Sequence, residues 1–250
     1  MEHGKSLQKQ LNKKYICFLG FMCIAMGAFG IEPLHVRAQL TPVSSTVLAS
    51  EVAGKVAQFS LKEGNAFHKG ETLVMIDCTL NQARLAHAFA HSEETARTYE
   101  AHTQLDKLGS ITVLEKEISK ARFAMAKADV HLAQAIVDRC VIKAPFSGRI
   151  IERKIRQYEY VSEGMPLVEI LDDKHLEVEM ILPSSSSVWI KIGHPLSFYN
   201  EETSTTFKGK VERIVPKVDP VSQSMKIYGS LEQNMTSLYP GMSGTVTIVP

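Results

Sequence analysis

Glu51-Val52-Ala53-Gly54-Lys55-Val56 and Ala144-Pro145-Phe146-Ser147-Gly148-Arg149-Ile150 are two versions of one segment. Adding 94 to each number in the first carries Gly54-Lys55-Val56 onto Gly148-Arg149-Ile150. The same offset, without a gap, carries Leu61 onto Ile155, Phe67 onto Val161, Gly70 onto Gly164, Leu73-Val74 onto Leu167-Val168 and Ile76 onto Ile170. Each copy reads as short strands punctuated by glycine. Gly54 and Gly148 lie inside strand-like stretches, where a missing side chain lets another backbone come close. Gly70 and Gly164 lie at turns that call for an unusual backbone conformation. One copy has only four or five apolar residues able to face inward. The two are therefore expected to pack face to face about a pseudo-twofold axis, as repeats that are stable only when paired.

Between the copies, residues 78–140 change texture to Ala, Glu, Lys, Gln and Arg, all good helix formers. Their one glycine, Gly109, marks a helix stop and restart near the middle. The insert is thus expected to be two antiparallel helices of about 30 residues each, a rod about 45 Å long. In the second arm Leu114, Ile118, Ala121, Met125, Ala128, Leu132 and Ala135 are spaced alternately by four and three, a seam suited to coiled-coil packing. The first arm shows no clean seam. Cys78 and Cys140 each lie 31 residues from Gly109, so the turn brings them level at the base. They form a disulfide staple there, or two buried thiols acting as small hydrophobes.

Beyond Leu176 apolar and polar residues alternate in Leu176-Glu177-Val178-Glu179-Met180-Ile181, in residues 208–215 and in Thr245-Val246-Thr247-Ile248. That pattern predicts half-buried antiparallel strands closing into a small barrel over residues 173–250. The serine run at 184–187 reads as a loop or helix cap. At the other end, Lys13-Lys14 precede an uncharged apolar run over residues 15–31, followed by Val36-Arg37-Ala38. This is the layout of a secretory signal over residues 1–38, cleaved after Ala38. At about 17 residues the run also stands at the lower limit for an uncleaved membrane anchor. Either way the body is placed outside the cytoplasm.

The two half-motifs resemble the split biotinyl/lipoyl-type domain of the HlyD-like membrane-fusion proteins, and the Ala-Pro-x-x-Gly-x-Ile string at 144–150 carries that resemblance most specifically. Pro240-Gly241-Met242 and Gly209-x-Val211 with Ile214-x-Pro216 resemble the family's barrel. The fold so implied is α+β, mostly β: a split lipoyl-like β-sandwich (45–77 with 141–172), an inserted coiled-coil hairpin (78–140) and a small antiparallel β-barrel. The resemblance implies a periplasmic adaptor with no catalysis and no cofactor. Its partners would be an inner-membrane efflux transporter, an outer-membrane channel and further copies of itself. Family hairpin tips that dock on the channel resemble Arg-x-x-x-Leu-x-x-x-x-x-Ile-Ser. Here Leu105, Ile111 and Thr112 match around Gly109, while Ala101 stands where the arginine would. Many members also carry a fourth, membrane-proximal domain built from both chain ends. After cleavage at Ala38 about ten residues precede the first half-motif, so a minimal adaptor is expected.

Other functions fit less well. Residues 39–250 carry 23 basic against 25 acidic side chains, without the excess a nucleic-acid binder needs. A biotinyl or lipoyl carrier presents its lysine on the short turn joining the halves, which the helical insert replaces. His87 and His91 share a helix face at metal-binding spacing but lack neighbouring ligands. Neither G-x-S-x-G nor H-E-x-x-H occurs. A non-transport envelope scaffold of the same fold is the alternative.

Overall fold

The computed structural model describes residues 32–232 and 237–249. The strands are β1 (Leu34–Pro42), β2 (Ser45–Ala49), β3 (Gly54–Gln58), β4 (Ala66–Phe67), β5 (Thr72–Ile76), β6 (Val141–Lys143), β7 (Gly148–Arg153), β8 (Tyr160–Val161) and β9 (Pro166–Leu171). They continue with β10 (Leu176–Pro183), β11 (Pro195–Asn200), β12 (Thr205–Asp219), β13 (Ser224–Leu231) and β14 (Ser243–Ile248). Helices α1 (Thr79–Lys107) and α2 (Val113–Asp138) separate β5 from β6.

Two four-stranded sheets, β2-β9-β7-β4 and β6-β5-β3-β8, form the sandwich. The 94-residue offset maps each strand of one sheet onto the strand in the same place in the other. The halves are also interlocked, because β3 pairs with β8 and β4 with β7. Neither half completes a sheet by itself. Val56, Phe67, Leu73, Ile150, Val161, Leu167 and Ile170 fill the space between the sheets, all of them buried. Gly148 faces the Leu171 carbonyl so closely that a Cβ would overlap it, whereas at Gly54 the nearest obstacle is the Ile76 Cγ2 methyl. Gly70 and Gly164 have φ of +83° and +79°, a left-handed conformation that glycine adopts without strain.

The second body is a closed barrel in the order β1-β10-β13-β12-β11-β14. Leu40, Val178, Phe198, Ile227, Val246 and Ile248 make its core. The barrel corrects two boundaries. Residues 34–38, expected in the signal, are half of strand β1, and Ala38 is a buried mid-strand residue opposite both Met180 and Gly244. Cleavage after Ala38 would halve a strand that closes the barrel. The barrel is therefore not residues 173–250 alone. The short segment before the first half-motif is its sixth strand, and the apolar run at 15–31 lies outside the described residues. The alternation Leu34-x-Val36-x-Ala38-x-Leu40 carries the strand signal, with its apolar side facing in. The serine run forms a 3-10 helix, Ser184–Val188.

Two chain segments connect barrel and sandwich. They run side by side, with Val43 N donating to His175 O at 2.9 Å and Asp172 N to Ser44 O at 2.9 Å. The barrel thus has one end toward the sandwich and one end away from it.

Candidate functional site

The residues read from the sequence as a partner-binding tip lie where α1 turns into α2. The helices contain 29 and 26 residues, about 43 and 39 Å. They lie side by side, and at their base the sulfurs of Cys78 and Cys140 stand at bonding distance with Cα atoms 6.0 Å apart.

The turn between them is defined by its caps. Gly109, at φ +67°, follows the last residues of α1. Its N–H donates to Asp106 O at 3.0 Å, and Ser110 N donates to Leu105 O at 2.9 Å. These two bonds make a Schellman ending, which a left-handed glycine permits. Thr112 then caps α2. Glu115 N donates to Thr112 Oγ1 at 3.2 Å, and Thr112 N donates to Glu115 Oε2 at 3.0 Å, a capping box. The Thr112 hydroxyl also donates to Glu115 Oε2 at 2.8 Å. The backbone N–H and then the hydroxyl of Thr112 hold the Glu115 carboxyl below its ordinary value. Of the four tip residues read from the sequence, Gly109 and Thr112 therefore have structural work at the turn. Ile111 is half-buried and Leu105 exposed. Leu108 (75% exposed), Val113 and Leu114 stand out farther, so the tip is an apolar knob. Val113 was not among the tip residues read from the sequence, although an apolar residue soon after a helix-breaking glycine could have shown it.

The seam between the helices also differs from expectation. Leu114, Ile118, Met125 and Leu132 are exposed, and so are Ala121, Ala128 and Ala135. They face away from α1. Facing it instead are Lys116, Ser119, Phe123, Ala126, Val130, Ala133 and Val137, spaced alternately by three and four. From α1 come Asn81, Leu85, Ala88, Ser92, Thr95, Tyr99, His102 and Asp106, with the same spacing. Many of these are small or polar, so apolarity does not mark the seam. Near the tip Lys116 Nζ donates to Asp106 Oδ2 at 2.7 Å. That hydrogen bond, and next the Asp106 charge, raise the Lys116 ammonium above its ordinary value. Lower down, the Tyr99 and Phe123 rings stack with centroids 6.3 Å apart.

His87 and His91 do not converge on further ligands. Among the described residues no cluster of three or more His, Cys, Asp or Glu side chains is placed to hold a metal. His91 sits 3.3 Å from Glu94 on the solvent side of α1. On the barrel, Gly241 has φ +94° and donates its N–H to Leu40 O at 2.8 Å, while Leu40 N donates to Met242 O at 2.8 Å. The Pro240-Gly241-Met242 turn thus ties β1 in place.

This architecture is that of a membrane-fusion protein, and the chain belongs to that family: residues 45–183 match the RND MFP barrel-sandwich hybrid domain and residues 177–250 the CusB-like beta-barrel domain. Among similar curated proteins is an uncharacterized protein of Haemophilus influenzae, 26% identical over 74% of this chain and 49% of its own length. Another is the nickel-cobalt-cadmium resistance protein NccB of Alcaligenes xylosoxydans xylosoxydans, 23% identical over 77% of this chain and 51% of its own. The chain spans about half the length of these relatives. A MacA-MexA chimeric protein containing the Pseudomonas aeruginosa MexA alpha-hairpin domain has the same fold, with a TM-score of 0.78 at 17% identity over 87% of this chain and 79% of its own.

Proposed function

We propose that this chain is the periplasmic adaptor of an efflux pump, linking an inner-membrane transporter to an outer-membrane channel. The observation that carries the reading is the rod on its platform: two helices about 40 Å long, based on an interlocked sandwich and ending in an exposed apolar tip. A rod of this kind gives reach. Leu105, Leu108, Ile111 and Val113 form the surface offered to the channel, with Gly109 and Thr112 shaping it. The barrel is offered to the transporter. No small-molecule chemistry is needed from the chain itself. The metal-resistance name of NccB agrees with an export role without fixing what is exported.

Within this reading the helices are a two-stranded coiled-coil hairpin, supported by the three-four spacing on both facing sides. The Cys78–Cys140 pair is its staple. A cross-link closing a separation of 62 residues contributes about 4 kcal/mol in the chain-entropy picture. Exchanging both for serine should lower stability by a similar amount in urea unfolding under oxidising conditions, and by clearly less under full reduction, when only the buried hydroxyls differ. The outward stripe of α2 (Leu114, Ile118, Met125, Leu132) is the face on which copies of the chain associate side by side. In α1, Ala83, Ala90 and Ala101 face away from α2 and give a neighbouring copy's stripe small residues to pack on.

Photo-crosslinking in native membranes tests the bridge, with one probe at Leu108 and a second at Lys208 on the barrel. The tip probe should capture an outer-membrane protein and the barrel probe an inner-membrane transporter. Capture of neither by an exported, folded chain would overturn the pump reading in favour of an envelope scaffold.

A further inference from the structure

We propose that the end of the barrel remote from the sandwich rests on the surface of a lipid bilayer. Three segments project past that end. They are the 3-10 helix with residues 189–194, the β12–β13 turn over residues 220–223, and the paired residues flanking Leu34 and Ile248. Strand pairing places them together. β10 ends at Pro183 opposite Ser224, β12 ends at Asp219 opposite the same residue, and Leu34 lies opposite Ile248. Direct bonds confirm the cluster: Ser184 N donates to Gln223 O at 2.8 Å, and the His194 ring lies 2.7 Å from Val249 O.

Among polar residues such as Ser187, Ser222 and Glu32, these segments expose four large apolar side chains. Val221 is 93% exposed, Val188 84% and Ile192 71%, and Val249 is also exposed. Isolated exposed apolar residues need no explanation, but four gathered on one end of a barrel do. The turn holds Val221 outward. Asp219 Oδ1 accepts from Val221 N and Ser222 N, each at 2.9 Å, which fixes the loop while its valine points to solvent. Trp189 is half-buried beside this group, edge-on to the His194 ring, and Lys191 is exposed next to it. A tryptophan and a lysine bordering an apolar patch is the composition that suits a membrane–water interface.

The chain itself identifies the occupant. The uncharged run at residues 15–31 ends three residues before Leu34, where β1 enters the barrel at this same end. Three residues reach at most about 10 Å. If the run enters hydrocarbon, the barrel end must lie within that distance of it, too little for another folded layer between them. The inference rests on the reading of residues 15–31 as an uncleaved membrane anchor. It goes further in assigning the bilayer contact to the folded barrel.

Trp189, the only tryptophan of the chain, is a built-in reporter. The full chain is reconstituted into phosphatidylcholine–phosphatidylglycerol vesicles, with and without brominated acyl chains. Trp189 emission should lose most of its intensity in the brominated vesicles. A Trp189→Phe/Tyr160→Trp variant, which moves the reporter to the sandwich, should lose none. Val221→Asp with Ile192→Asp should relieve the quenching of Trp189. Unchanged Trp189 emission in brominated vesicles overturns the proposal, whether or not the chain stays with the vesicles. Resistance to carbonate extraction reports separately on residues 15–31. Unquenched Trp189 together with crosslinking of Val221 to a transporter would make this end a protein-docking face instead.

Discussion

Thr112 and Glu115 hold each other at the start of α2, and this local bargain has a pH dependence. The Glu115 carboxyl is depressed in the folded state by Thr112, its backbone N–H first and then its hydroxyl. The stabilisation is therefore complete above the ordinary glutamate value and is lost as pH falls through the lower folded value. Hydrogen exchange at residues 113–116 should accelerate selectively across that acidic window, and Glu115→Gln should remove the dependence. Thr112→Ala should cost about 1 kcal/mol at neutral pH, while Thr112→Ser should cost little. A surface role for the hydroxyl alone would leave exchange at those amides unchanged. Gly148 and Gly54 separate two kinds of close approach. At 148 the obstruction is the Leu171 backbone and at 54 the Ile76 side chain. Gly148→Ala should thus destabilise by roughly 3 kcal/mol and Gly54→Ala by about 1 kcal/mol, measured by chemical denaturation. Their equivalence under the 94-residue offset was visible in the sequence. Their unequal cost was not, because it depends on which atom of the partner strand stands opposite.

At the scale of the element, α2 carries two stripes with seven-residue periodicity on opposite faces. The apolar one catches the eye in the sequence, yet the partly polar one is internal. Periodicity tells a helix that it has a preferred face, but not which neighbour occupies it. Residues such as Ser119, Thr95, Lys116 and Asp106 can line a seam because each finds a bond there. Thr95 Oγ1 donates to His91 O at 3.0 Å, Ser119 Oγ to Lys116 O at 2.8 Å, and Lys116 pairs with Asp106. If the outward stripe joins copies, Met125→Glu with Leu132→Glu should leave helix content and melting unchanged and abolish side-by-side crosslinking of the purified chain. Unaltered association would remove α2 from the interface. The tip was legible in outline, since Leu105 and Gly109 stand where a turn with an apolar cap needs them. The exposure of Leu108 and Val113 was not legible, because it depends on which side of the turn each side chain takes.

For the whole molecule, the sandwich was legible because its halves repeat, and the barrel only in part. Strands β10, β12 and β14 announce themselves by alternation. Strand β1 has the same alternation, but it follows an apolar run and ends near small residues, so a processing signal competes for the same letters. A chain beginning at residue 32 should fold with a cooperative urea transition, whereas one beginning at residue 39 should lose that cooperativity in the barrel. The readout is the chemical shift or exchange protection of Val246 and Ile248. Full protection in the shorter chain would mean that β1 is dispensable.

The pairing of β1 with β14 also sets a schedule for the growing polypeptide. The three bodies are nested, the helical pair inside the sandwich and the sandwich inside the barrel. The helical pair is complete once residue 138 has been made, the sandwich needs β9 to residue 171, and the barrel needs β14 to residue 248. The bodies therefore become complete from the middle of the chain outward, although the chain is synthesised from one end. Strand β1 must wait with an open edge while about 200 residues follow it, and such edges invite pairing with the wrong partner. A ribosome that stops a few codons early would release a molecule with a sound rod and sandwich and an unclosed barrel, a natural substrate for proteolysis.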